Sequence, residues 1–175
     1  DTPDASRKLK ALFDAAPNMT ESLACLRTLV PFTTSEREDA INTFYERWKD
    51  NPLVIDKWFA VQAGQGTAED ARKLSEHQDF DLSNPNRVRS VAAAFAMSNL
   101  AAFHARDGAG HKVIADIVLE TDPRNPALAA RLLTSFEQWR KLEPVAKASA
   151  EKTLKSLQAA SLSKHAMDIL ARALD

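Results

Sequence analysis

The four histidines, His77, His104, His111 and His165, are the first residues to weigh for chemistry, and none has a second histidine four residues away. A helical zinc site of the H-E-x-x-H type needs two imidazoles one turn apart, with the glutamate between them as base. That pattern is absent, so no residue of this sequence is assigned as a metal ligand. His104 and His111 bracket Arg106-Asp107-Gly108-Ala109-Gly110. This stretch has too few carboxylates for a calcium loop and lacks the Lys-Ser/Thr of a phosphate loop. It reads as a turn between helices. Cys25, the single cysteine, lies beside Leu26 on an apolar face and reads as a small buried hydrophobe. No G-x-S-x-G elbow and no Cys/His pairing supplies a nucleophile, so no catalytic residue is assigned either.

The basic residues are more informative. Asn-Pro occurs three times, at Asn51-Pro52, Asn84-Pro85 and Asn125-Pro126. Asn is a good helix N-cap and Pro a good first helical residue, so each pair opens a helix sharply. Each of these helices carries a cation in its second turn: Lys57, Arg89 and Arg131. If the three helices stack in parallel, the cations line one face. In Asn84-Pro85-Asn86-Arg87-Val88-Arg89-Ser90 two arginines precede the small apolar run Val91-Ala92-Ala93-Ala94-Phe95-Ala96. A helix that apolar is buried on most sides, so an arginine at its start needs a carboxylate partner or a wet cavity. Trp48, Trp58 and Trp139 fall at core spacing. Glu76, Asp79 and Asp81 around His77 read as a solvated connector. Glu151 and Lys155, at i and i+4, mark the basic stretch from Arg140 to Lys155 as a solvated helix face.

The elements that must position these residues are helices throughout. Ala40, Ile41, Phe44, Tyr45 and Trp48 form one apolar stripe, and Leu162, Ala166, Ile169, Leu170 and Ala173 form another. The pattern predicts helices over 4–15, 19–30, 34–49, 52–63, 67–76, 85–98, 99–105, 111–121, 126–139, 144–158 and 162–174. Thr33 with Glu36, Ser35 with Glu38 and Thr67 with Asp70 have capping-box spacing or nearly so. Gly64, Gly66, Gly108 and Gly110 are placed as helix stops. The Asn-Pro pairs lie 33 and 41 residues apart, about the length of one helix-pair repeat. The expected fold is therefore all-α, and the spacing fits a HEAT-, armadillo- or TPR-like array of helix pairs; the alternative is that Asn-Pro is simply a common helix opener and the spacing is chance.

At 175 residues and 45% hydrophobic, the chain can bury a sizeable core. Its net charge of -1 argues against a nucleic-acid partner. No apolar run approaches the roughly 18–20 residues of a membrane span, and no signal segment is present, so no membrane partner and a cytoplasmic location are expected. The first residue is Asp1 rather than Met, as expected for a piece of a longer protein.

The run His77-Gln78-Asp79-Phe80-Asp81-Leu82-Ser83-Asn84-Pro85-Asn86-Arg87-Val88-Arg89-Ser90, followed by Phe95 and by Asn99-Leu100-Ala101-Ala102-Phe103-His104, resembles the C-terminal domain of bacterial aminopeptidase N, the zinc-dependent alanyl aminopeptidase family. Phe44-Tyr45, Trp48, Asp56-Lys57-Trp58-Phe59, Arg124-Asn125-Pro126 and Ala130-Arg131-Leu132 extend the likeness over nearly the whole chain. The resemblance implies one superhelical, armadillo/HEAT-like domain of helix pairs over residues 1–175, which closes over a catalytic domain of the same polypeptide and encloses the active-site cavity, controlling access of peptide substrates. It implies no cofactor in this chain and zinc in the full-length enzyme, whose catalytic signatures are absent here. It places substrate-cavity residues at Arg89 and Arg131; Lys57 joins them by the repeat argument. An independent α-solenoid that binds a protein partner is the alternative reading. If the domain is an excised one, an exposed apolar patch is expected around Leu12, Phe13, Leu23 and Leu26.

Overall fold

A computed structural model describes residues 3–175. Its elements are α1 (Pro3–Ala15), α2 (Met19–Leu29), α3 (Ser35–Trp48), α4 (Pro52–Ala63), α5 (Ala68–Ser75), α6 (Pro85–Val88), a π-helical turn (Arg89–Ala93), α7 (Ala94–Ser98), α8 (Leu100–Phe103), α9 (Ala109–Thr121), α10 (Pro126–Leu133), α11 (Pro144–Gln158) and α12 (Lys164–Leu174). Two 3-10 turns, Thr134–Phe136 and Trp139–Lys141, join α10 to α11. No strand occurs among the described residues, so the fold is all-α as expected.

The three Asn-Pro helices start as their sequences dictate. The Asn51 side chain accepts from Val54 N (3.4 Å), that of Asn84 from Asn86 N (3.0 Å), and that of Asn125 from Leu128 N (3.0 Å). Thr67 and Asp70 complete a reciprocal capping box on α5. Neither Thr33 nor Ser35 caps α3; Thr34 stands at the cap and makes no side-chain bond there.

Helices pair and the pairs stack. α3 packs on α4, α9 on α10, and α11 on α12. Along the stack, α4 meets α2 and the π-turn, α9 meets α5 and α11, and α10 meets α12. The π-turn lies inside one continuous helix, Pro85–Ser98, which runs parallel to α4. Asp56 binds Arg87 near the start of both (2.6 Å), and at the far ends the Asn99 side chain donates to the carbonyls of Ala63 (3.4 Å) and Gly66 (2.5 Å). The core includes the fully buried Phe13, Phe44, Phe59, Phe95, Phe103 and Phe136.

Several expectations are corrected. The segment 126–139 is not one helix: α10 ends at Leu133. The Thr134 and Ser135 hydroxyls donate to the carbonyls of Arg131 and Leu132 (both 2.7 Å), which offers those carbonyls partners other than the next helical turn. Gly110 is not a stop but lies inside α9, where a Cβ would come within 2.5 Å of the Ala102 and Phe103 carbonyls. Its lack of a side chain lets α9 approach α8. Gly108, at φ 73°, has the left-handed backbone, at the start of α9 rather than at a helix end. The apolar patch expected near the N-terminus is absent as drawn: Leu12 is 60% exposed, but Phe13 and Leu26 are fully buried because α1 folds back on α2 and α3.

Candidate functional site

The two arginines opening the Asn84 helix have opposite environments. Arg87 is buried. Its Nε donates to Asp56 Oδ1 (2.6 Å), Nη1 donates to the Asp79 carbonyl, and the guanidinium lies 4.9 Å from the Phe59 ring centre. It meets the requirement for a carboxylate partner, and its role is structural. Arg89, two residues on and therefore on another side of the helix, is exposed. Its Nη2 donates to Asn86 Oδ1 (2.5 Å). Arg89 also opens the π-turn, a feature that recurs at functional sites because it turns side chains out of helical register.

Lys57 and Arg131 are exposed as well. None of Lys57, Arg89 and Arg131 forms an ion pair among the described residues, although many surface cations here do. Lys10, Arg37, Arg72, Lys112 and Lys155 each hold a carboxylate. Lys57 and Arg89 are carried by the two parallel helices. Lys57 lines a cleft of about 350 Å³ shared with Arg27 of α2. Arg131 lines another of about 340 Å³ between α10 and α12, shared with His165, Asp168 and Arg172. Arg89 lines neither. The sequence did not single out Arg27 or Arg172, since neither sits in an Asn-Pro helix. Their only signal is lateral contact between helices distant in sequence.

The surroundings of His77 correct the reading of a solvated connector. Tyr45 Oη donates to Asp79 Oδ2 (2.6 Å), Gln78 Nε2 donates to Tyr45 Oη (3.1 Å), and Asp79 N donates to His77 Nδ1 (3.1 Å). The imidazole sits among Tyr45, Trp58 and Phe59, with ring centres 5.3 to 5.5 Å away. Burial pushes its pKa down. With Arg87, this network ties the 76–84 segment to α3 and α4 and so fixes where the Arg89 helix begins.

His104 and His111 meet across the turn, Nδ1 to Nε2, at 3.0 Å. His111 is fully buried against Phe103 and Phe136, and its Nδ1 has no partner. Burial, reinforced by the His104 charge and opposed by Asp107, pushes its pKa down to about 4. Trp58 and Trp139 are core residues, donating to the carbonyls of Ile41 (2.9 Å) and Ala173 (2.8 Å); Trp48 is half-buried. Cys25 is also half-buried, and burial pushes its thiol pKa up. Lys155 pairs with Glu151 (2.7 Å) on an exposed face, as its spacing indicates. No group of three His, Cys, Asp or Glu side chains suited to a metal ion occurs among the described residues. His104 and His111 turn their facing nitrogens on each other. The described residues therefore do not fit a zinc ion.

The family model for DUF3458_C, a domain of unknown function with ARM repeats, matches residues 1–175. The chain belongs to this family. It is 38% identical over 172 residues to aminopeptidase N of Caulobacter vibrioides, covering 95% of this chain and 20% of that protein. To aminopeptidase N of Escherichia coli it is 42% identical over 124 residues, covering 69% of this chain and 14% of that one. A crystal structure of Legionella pneumophila aminopeptidase A in complex with aspartic acid superposes with a TM-score of 0.90 at 32% identity, covering 98% of this chain and 21% of that chain. The chain thus spans about a fifth or less of the length of these relatives. The resemblance seen in the sequence holds, as does the repeat architecture.

No helix among the described residues is long and apolar enough to cross a membrane.

Proposed function

We propose that this chain is the C-terminal helical domain of a zinc aminopeptidase that removes N-terminal residues from peptides. It encloses the active-site cavity and governs substrate access, while zinc and the catalytic groups reside in another domain of the same, cytoplasmic polypeptide. The observation that carries this reading is the match over 95% of the chain to one-fifth of an aminopeptidase N. Lys57, Arg89 and Arg131, which hold no carboxylate among the described residues, supply the means. A bound peptide offers carbonyls along its length and a carboxylate at its end, and permanent cations can hold either at a distance from the metal. They position substrate and take no part in breaking the bond.

Two experiments test the reading. The purified chain by itself is expected to release no amino acid from peptides and to retain no stoichiometric zinc after dialysis. One tightly held zinc per chain contradicts it. In the full-length protein, Arg89→Met is expected to raise KM for peptides on the order of tenfold, with a small change in kcat, because the contact it loses is made equally in ground and transition states. Unchanged KM and kcat together with a lower melting temperature would leave Arg89 a structural residue.

A further inference from the structure

Four clefts in the surface mix cations with carboxylates. Arg37 shares one with Asp70 and Asp107, Arg72 one with Glu76, Asp116 and Glu120, Arg140 one with Glu137, and Arg131 one with Asp168. The cleft between α2, α4 and α7 differs. It holds two cations, Arg27 and Lys57, and no carboxylate lines it. Neither cation makes a hydrogen bond or ion pair among the described residues.

The shape of the cleft follows from the packing. Lys57, Ala60, Val61 and Gly64 recur at i, i+3, i+4 and i+7, so one face of α4 forms the floor. Leu23 and Arg27, one turn apart on α2, form one wall; Ala94 and Ser98, one turn apart on α7, form the other. Ala60, Gly64, Ala94 and Ser98 are small, which leaves about 350 Å³ and lets an incoming backbone lie close to the helices. Two cations without a carboxylate partner stand along the same groove. That combination suits an extended peptide with a negative group along its length. Arg27 offers a planar fork that can grip both oxygens of a carboxylate, and Lys57 adds a second positive donor.

We infer that the Arg27–Lys57 groove is a subsite for an acidic side chain, Asp or Glu, of an extended peptide substrate downstream of the bond that is cut. This rests on the proposed function, since it takes a peptide to be the occupant, and it adds Arg27 and a preferred substrate class. An acidic side chain is chosen over a terminal carboxylate because the cleft runs for two turns along α4 between the walls of α2 and α7. That length leaves room for a chain to continue past the acidic residue.

The test uses the full-length protein and C-terminally amidated peptides, which carry no terminal carboxylate. A Glu is moved along the peptide and compared at each position with Gln. At one downstream position Glu is expected to lower KM about tenfold relative to Gln, the scale of a charge-assisted contact. In Arg27→Gln/Lys57→Gln the ratio falls toward one. In Arg27→Glu/Lys57→Glu it inverts in favour of Lys peptides, a gain that misfolding does not produce. Arg72→Gln, on α5 and outside the groove, keeps the wild-type ratio. A ratio near one at every position, a ratio that survives in the Arg27→Gln/Lys57→Gln variant, or a preference seen only with free terminal carboxylates overturns the inference. Arg89→Met separates the two levels. A raised peptide KM there with no Glu preference sinks the groove alone, whereas a protein that cleaves no peptide sinks the underlying reading.

Discussion

Arg87→Met is expected to destabilise the domain by about 3 kcal/mol, because removing one partner strands a charge in a site built for two. Asp56 would keep its carboxylate with its side chain only 17% exposed. The Asp79 carbonyl would lose its donor, and the Phe59 ring the cation over its face. Burying a pair is not itself a large gain, since desolvation offsets most of the attraction; the loss comes from breaking it. That distinction makes the prediction specific. Replacing Asp56 by Leu in the same background should restore part of the stability, so the double variant should unfold at a higher urea concentration than Arg87→Met alone. Arg89→Met should leave the urea midpoint close to the wild-type value, since exposed positions with few partners contribute little. An Arg87→Met midpoint equal to that of wild type, or a double variant weaker than either single one by the sum of both losses, would remove the ion pair from any account of this fold.

The contrast between Arg87 and Arg89 also marks where the sequence stops being informative. The helix starts at Asn51, Asn84 and Asn125 are legible because an N-cap and the proline after it act locally. Most helix extents follow from the 3.6-residue period for the same reason. Which of two arginines finds a carboxylate depends on Asp56, 31 residues earlier, reached only because α4 and the Asn84 helix run side by side. The knot of Tyr45, His77 and Asp79 spans 34 residues between its hydroxyl and its carboxylate, and nothing within the acidic stretch announces it. The end of α10 depends on hydroxyls at Thr134 and Ser135 and on the burial of Phe136 and Trp139, which the helical period carried straight through. Arg27 has no local mark at all. Its candidacy comes from the absence of any carboxylate in a cleft made by three helices, a property of the surface rather than of the chain.

The second large effect is a loss of stability in mild acid, traced to His111. In the unfolded chain this group has its ordinary pKa of 6.5, whereas in the folded domain burial holds it at about 4. The folded state therefore resists protonation, which makes the sign definite. Above pH 6.5 both states are neutral here and the full stability is present. Between 6.5 and about 4 the unfolded chain binds a proton that the folded one does not, so stability falls as pH falls. Below that window both states are protonated and this contribution is spent. By linkage, acidifying from pH 7.5 to pH 5 should cost about 2 kcal/mol through this one group. The physical cause is visible in the site. A charged His111 would sit with no exposure, against Phe103 and Phe136, with an unpartnered Nδ1 and with His104 as its nearest polar neighbour. Burial depresses the pKa values of His104 and His77 as well, so they add to the fall in the same direction. His111→Gln keeps a side chain able to bond His104 but removes the titration. Urea denaturation of wild type and variant at both pH values reads this term, because every titrating group outside the His104–His111 pair keeps its surroundings. The variant should lose about 2 kcal/mol less than wild type over the interval. Equal losses would mean that His111 binds its proton as readily in the folded domain as in the unfolded chain, and that the phenylalanine-lined pair across the Gly108 turn opens far more easily than its packing implies.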